Sequence, residues 1–260
     1  IRLLDPPLHE FLPKTDEDKA SLASELGISM ENLSLRIADL KEFNPMMGHR
    51  GCRLLVTYPE ITVMQTTAII KAALRLEKEN ITVTPEIMVP LISDVKEFSF
   101  VKKDICQTAD TLIKEANSAL KYEVGTMIEL PRACLLAGEI AKKANFFSFG
   151  TNDLTQMTYG FSRDDAGKFL KCYEENNLLE KDPFQKIDEK GVGSLMQYAV
   201  EEGRKVKKNM SIGVCGEQGG DPDSILFFKR IKASYVSCSL YRVLISRLAC
   251  AQAALIEKCL

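Results

Sequence analysis

A chain of 260 residues with 45% hydrophobic and 27% charged residues has the composition of a folded globular protein, which excludes disorder, collagen and coiled coil. Lys plus Arg number 34 against 36 Asp plus Glu, a formal net charge of −2, so neither nucleic acid nor an anionic membrane is indicated as a partner. No apolar run approaches the roughly 18 residues of a membrane span.

Along the chain, short β-type runs alternate with longer segments of helical periodicity. Strands are predicted at 1–4, 86–91, 122–130, 146–149, 211–215 and 235–238. Several are continuously apolar, as strands buried on both faces of a parallel sheet are. Between them, Ile61, Met64, Ala68, Ala72 and Leu76 fall on one helical face, and Leu244, Leu248, Ala251 and Leu255 on another. Such βα repetition predicts a parallel α/β fold, open or closed into a barrel. Residues 15–44 break the pattern. Thr15 followed by Asp16, Glu17 and Asp18 opens a helix, and the segment reads as an inserted helical pair joined near Gly27. Residues 160–187 have little periodicity and read as a functional flap or surface excursion. One domain over 1–260 is the expected organisation. The chain starts at Ile1 inside a strand-like run and reads as a piece of something longer.

Eight scattered cysteines form no C-x-x-C pair, and the only histidines are His9 and His49. A Cys/His zinc site is therefore not indicated, and reduced thiols in a cytosolic-type compartment are expected.

Parallel α/β folds gather their chemistry where strands end and helices begin. The strand before Glu129, the strand running into Gly150-Thr151-Asn152-Asp153 and the strand ending in Cys215-Gly216-Glu217 all place polar groups there. Glu129 and Asp153 offer the hard oxygens Mg²⁺ prefers, or each caps a helix. Arg2 and Arg50 match phosphate or carboxylate oxygens, or else bridge to a nearby acid. Cys215 sits before a glycine-rich turn whose N–H groups would lower a thiol pKa, or it simply fills the core.

Five collinear stretches then carry a resemblance: Ile1 to Pro13, Asn44 to Arg53, Gly125 to Ala133, Phe147 to Gln156, and Cys215-Gly216-Glu217. In that order they resemble the C-terminal, phosphoenolpyruvate/pyruvate-binding domain of the pyruvate, phosphate dikinase family within the PEP-utilising enzymes. The resemblance implies a TIM-type (β/α)8 barrel, here lacking its first βα unit and inactive alone. It implies that Arg2 and Arg50 hold the phosphoryl group, that Glu129 and Asp153 bind Mg²⁺, and that Thr151 and Asn152 with Asp153 contact substrate. Cys215 would be the acid/base at the methylene carbon, with Ser148 and Tyr235 behind it. Implied partners are phosphoenolpyruvate or pyruvate, a phosphohistidine domain of the same longer chain, and a second copy in a homodimer. A cytoplasmic location is expected, with an organelle as the alternative; the C-terminal Glu257-Lys258-Cys259-Leu260 is not a peroxisomal address. Related readings are a phosphoenolpyruvate synthase, an enzyme I-like phosphotransferase, or a non-catalytic dimerisation module. One departure stands out: Gln218 occupies the place where the family usually has His, and an amide cannot carry a proton near neutral pH.

Overall fold

The computed structural model describes residues 1–259, with side chains through 256; the side chains of the C-terminal tetrapeptide lie outside the described residues. The expected helical insertion is present as α1 (Asp16–Leu26) and α2 (Met30–Asp39), joined at Gly27. The hydroxyls of Thr15 and Ser29 accept the first-turn N–H groups of Asp18 and Asn32, which fixes both starts. Next come α3 (Cys52–Thr57), α4 (Pro59–Lys78), β1 (Glu86–Val89), α5 (Val95–Glu115), β2 (Glu123–Ile128), α6 (Pro131–Leu135), α7 (Ala137–Ala141) and β3 (Phe146–Gly150). The chain continues through α8 (Thr151–Tyr159), α9 (Gly167–Glu175), α10 (Val192–Val206), β4 (Ser211–Cys215), α11 (Pro222–Arg230), β5 (Tyr235–Val236) and α12 (Val243–Cys259).

The five strands form one parallel sheet in chain order, β1-β2-β3-β4-β5. The N-terminal run contributes a single parallel bridge, Arg2 to Met88, rather than the strand expected over 1–4. The register sorts the side chains, because alternate strand residues face opposite sides. Ile87, Val124, Phe147, Ile212 and their i+2 neighbours Val89, Phe149 and Val214 lie on the helix side, in the main apolar core with Ile105, Met196 and Phe228. The opposite side carries Arg2, Met88, Gly125, Met127, Ser148, Gly150, Gly213, Cys215 and Tyr235 in matching register. One face builds the core and the other is left for chemistry.

Several expectations are corrected. Five strands and one bridging segment are paired among the described residues, which suits part of an eight-stranded barrel without showing one. No pairing among them joins β5 back to the Arg2 segment, so the barrel is not closed within them. On α4 the buried row is Thr62, Thr66, Ile70, Ala73 and Leu74, while Met64, Ala68 and Ala72 are exposed. The α4 surface that meets α3 and α5 thus begins with two threonines, which apolar periodicity passes over. On α12, Leu244, Leu248 and Leu255 are exposed, and Ser246, Ala249 and Ala253 face inward, because α12 lies close against α11 and only small residues fit. The 160–187 excursion is not irregular throughout; it contains α9, a short helix with one buried residue, Leu170. Among the described residues, no helix is long and apolar enough to cross a membrane.

Candidate functional site

Three successive strands, β2, β3 and β4, end by delivering polar groups to the same region. Glu129 follows β2, Thr151-Asn152-Asp153 open α8 directly after β3, and Cys215 closes β4. Neither acid is a helix cap. The N-cap of α6 is Leu130, and Asp153 lies inside the first turn of α8 with its carboxylate turned to Arg50.

Arg50 is the centre of the cluster and is 2% exposed. Its Nη1 and Nη2 donate to the two oxygens of Asp153 at 2.9 and 3.0 Å, a bidentate fork. Nη2 also donates to Asp5 Oδ2 at 2.7 Å, Nε to the Asp5 carbonyl at 3.2 Å and Nη1 to the Met46 carbonyl at 3.3 Å. Burial works against this charge, and the two carboxylates more than offset it, so its pKa is raised. The bridge to a nearby acid, left open from the sequence, is thus present twice. Arg2 Nη1 meets the same Asp5 Oδ2 at 3.2 Å from a partly exposed position. The second oxygen, Asp5 Oδ1, is buried with no hydrogen-bond partner. Asp5 is the residue the sequence reading missed. It lies at the end of the 1–4 run, the same kind of strand-end position that singled out Glu129 and Asp153.

Glu129 is buried and accepts the Leu91 N–H through Oε1 at 2.7 Å. Its Oε2 lies against Gly150, where a Cβ would come within 2.1 Å, so the bare glycine makes room for the carboxylate. Burial, then the negative charges of Asp5 and Asp153, push its pKa up to about 8, against the opposing pull of the Leu91 N–H and Arg2. Three carboxyl groups and two guanidiniums therefore share one space, and the charge turns net negative only as Glu129 ionises. Among the described residues, no group of three or more His, Cys, Asp or Glu is arranged to hold a metal by itself.

Cys215 is partly buried, and its thiol donates to the Phe149 carbonyl at 3.3 Å. The glycine-rich turn does not lower its pKa as expected. Burial and then Glu129 push the thiol up to about 11, against a smaller opposing pull from Ser148 and Arg2. The Ser148 hydroxyl acts on the Tyr235 phenol in the same downward sense, although burial leaves that phenol raised overall. Ser148 thus acts on both Cys215 and Tyr235. Asn152 Oδ1 accepts the Glu217 N–H at 3.0 Å and pins the turn after Cys215. The Thr151 hydroxyl lies 2.8 Å from the Cys215 carbonyl and 2.6 Å from Gln218 Oε1.

A family model described as the PEP-binding domain of PEP-utilising enzymes matches residues 1–255. The chain is 53% identical to a pyruvate, phosphate dikinase of Clostridium symbiosum, over 99% of this chain and 30% of that protein. It is 54% identical to the pyruvate, phosphate dikinase of Rhizobium meliloti, over 97% of this chain and 28% of that one. With the chloroplastic pyruvate, phosphate dikinase 1 of Arabidopsis thaliana it shares 52% identity, over 97% and 26%. The chain therefore spans less than a third of the length of these relatives.

Proposed function

The chain belongs to the family of PEP-binding domains of PEP-utilising enzymes, and from that premise we propose that it is the phosphoenolpyruvate/pyruvate part of a pyruvate, phosphate dikinase. In this reading the phosphoryl group of phosphoenolpyruvate leaves its enol oxygen for a histidine nitrogen on a separate domain of the same longer chain. The enolate left behind takes a proton at its methylene carbon and becomes pyruvate; the reverse direction removes that proton and returns the phosphoryl group.

The single observation that carries this reading is the composition of the cluster at the strand ends. Two guanidiniums, three carboxylates and a thiol meet on the face of the sheet opposite the core. Arg2 and Arg50 are the groups to hold phosphoryl oxygens, with Asp5 fixing both guanidiniums in place. Thr151, Asn152 and Asp153 bring hydroxyl, amide and carboxylate groups to the same strand end. With its pKa pushed up to about 11, Cys215 is a protonated thiol at neutral pH and is equipped to give a proton to the enolate carbon. Its thiolate, formed in the reverse direction, is correspondingly basic. Ser148 and Tyr235 orient it.

The donor set suits a hard divalent cation. Burial and then the charges of Asp5 and Asp153 raise Glu129, and Asp5 Oδ1 lacks a partner. Mg²⁺ is the ion we propose, with Glu129 and Asp153 as its protein ligands and substrate oxygens supplying much of the rest of its shell. When bound, it neutralises charge on phosphoryl and enolate oxygens.

The barrel belongs to the same reading. The parallel sheet and the Arg2 bridge suit part of an eight-stranded barrel whose first βα unit the longer chain would supply. The exposed row Leu244, Leu248 and Leu255 on α12 supports pairing of two copies. Bacterial relatives support a cytoplasmic location.

The experiment uses the full-length protein that carries this chain. Cys215→Ala should abolish exchange of pyruvate methyl hydrogens with solvent and leave nucleotide-dependent phosphorylation of the distant histidine intact. Glu129→Ala should weaken Mg²⁺-dependent phosphoenolpyruvate binding as well as exchange. Unchanged pyruvate exchange in Cys215→Ala would remove the thiol from the mechanism.

A further inference from the structure

Residues 160–187 pack chiefly on themselves. Ala166, Leu170 and Phe184, with Phe161, Phe169 and Leu179 against them, form an apolar cluster separate from the main core. Two buried glutamines fasten this excursion to the site from opposite sides. Gln218 is fully buried; its Nε2 donates to the Pro183 carbonyl at 2.8 Å and to Thr155 Oγ1 at 3.3 Å, and its Oε1 accepts the Thr151 hydroxyl at 2.6 Å. The orientation of this amide is fixed, because a carbonyl can only accept and Nε2 must therefore face Pro183. Thr151 Oγ1 also lies 2.8 Å from the Cys215 carbonyl, and its one proton serves one of the two acceptors. On the other side, Gln156 Oε1 accepts the Arg163 N–H at 2.8 Å while its Nε2 lies 3.4 Å from Asp153 Oδ1.

Resting on the reading of the site given above, we propose that Gln218 and Gln156 are positioning residues that tie the 160–187 excursion to the two halves of the site. Gln218 connects it to the Thr151–Cys215 end, where the carbon proton moves. Gln156 connects it to Asp153, beside the phosphoryl-binding arginines. Packing alone does not account for a wholly buried amide at 218, since an apolar side chain would fill the same space without needing partners. If the excursion moves away, the buried Gln218 amide loses its shorter acceptor, the Pro183 carbonyl, and keeps only the longer contact to Thr155 for its Nε2. The position of the excursion and the geometry of the turn after Cys215 are therefore coupled in both directions.

The test uses Gln218→Met and Gln218→His in the full-length protein. Methionine keeps the bulk and removes both hydrogen-bonding functions. Amide hydrogen exchange within 160–187 should then accelerate about tenfold to a hundredfold, the effect of losing one buried hydrogen bond. The kcat for pyruvate–solvent hydrogen exchange should fall about tenfold with KM for pyruvate nearly unchanged, because Arg2, Arg50 and Asp153 are not touched. Histidine is the rescue variant, since a neutral imidazole offers one donor and one acceptor. It should restore both readouts at pH 8 and lose them as the ring protonates and its acceptor disappears. The groups touching position 218 are Thr151, Thr155 and the Pro183 carbonyl, none of which titrates there, so amide protection of 160–187 in wild type should lack that limb; the activity profile is read as a ratio to wild type, because Glu129 in the same site changes charge near pH 8.

Unaltered protection of 160–187 in Gln218→Met, or a flat pH profile in Gln218→His, would overturn the proposal. Should Gln218→Met fail to fold, the Gln218→His profile still decides it. Absence of pyruvate exchange in wild type would instead overturn the functional reading, and amide protection would continue to report on the tie alone.

Discussion

Replacing Glu129 by Gln removes one charge from a space that holds three carboxylates and leaves the shape almost unchanged. Burial and the neighbouring Asp5 and Asp153 raise this carboxyl from an ordinary 4.5 to about 8. A carboxyl raised in the folded state contributes its full stability below the unfolded pKa, about pH 4.5, and loses it as pH climbs through the folded value near 8. The interval, at about 1.4 kcal/mol per pKa unit, amounts to about 5 kcal/mol if Glu129 alone carries it. Protons shared with Asp5 and Asp153, and cations entering the cleft, reduce the measurable part to about 2 kcal/mol. For a protein of this size that corresponds to about 4–8 °C in Tm. Glu129→Gln should therefore match wild type near pH 5 and exceed it by several degrees near pH 8.5. The assay is thermal unfolding across this range in metal-free buffer, following the transition that includes this region. Parallel Tm profiles for the two proteins would refute the account of crowded negative charge.

Adding Mg²⁺ with a phosphoenolpyruvate analogue should shrink that difference at pH 8.5, since a bound cation favours ionised Glu129; a gap insensitive to both would count against Glu129 as a ligand. Arg50→Met should cost about 3–5 kcal/mol at pH 8, because Asp5 and Asp153 lose their buried counter-charge, and part should return on acidification. Arg50→Lys should fall between, keeping the charge but not the fork; denaturant unfolding of both variants against wild type measures this. Alkylation of Cys215, followed by peptide mass spectrometry, should rise with pH around 11 rather than around 9, and a midpoint at or below 9 would contradict a thiol held protonated by burial.

The strand ends were legible because a parallel sheet puts them all on one side, and six β-type runs in the sequence located Glu129, Asp153 and Cys215 at once. Asp5 was not, since its strand survives as one bridge at Arg2 and two prolines after it suggest a turn. The buried face of α4 was misread because Thr62 and Thr66 are polar by composition yet lie wholly inside. On α12 the opposite holds: its largest apolar residues are outside, so the periodicity that identified the helix did not say which side is buried. The pKa of Cys215 depends on Glu129 and on burial, neither of which is adjacent in sequence. Gln218 was visible as a departure from a family pattern, but its partners Thr151 and Pro183 are brought to it only by the fold.

The Leu91 backbone, finally, restricts how this sequence can diverge. Leu91 adopts a left-handed conformation, with φ at 57°, and thereby aims its N–H at Glu129. A branched apolar residue holds that conformation at a cost of about 1–2 kcal/mol. Its side chain is fully buried, and its Cβ would lie 2.7 Å from any Cβ placed on Gly51, itself at φ 55°. Position 51 is thus closed twice over. Leu91→Gly would relieve the steric conflict at the expense of core packing, but the backbone of Gly51, at φ 55° and ψ −136°, lies where a side chain is strained whatever the space. Divergence at either position is therefore constrained by the backbone that carries the N–H to Glu129, and not by packing alone.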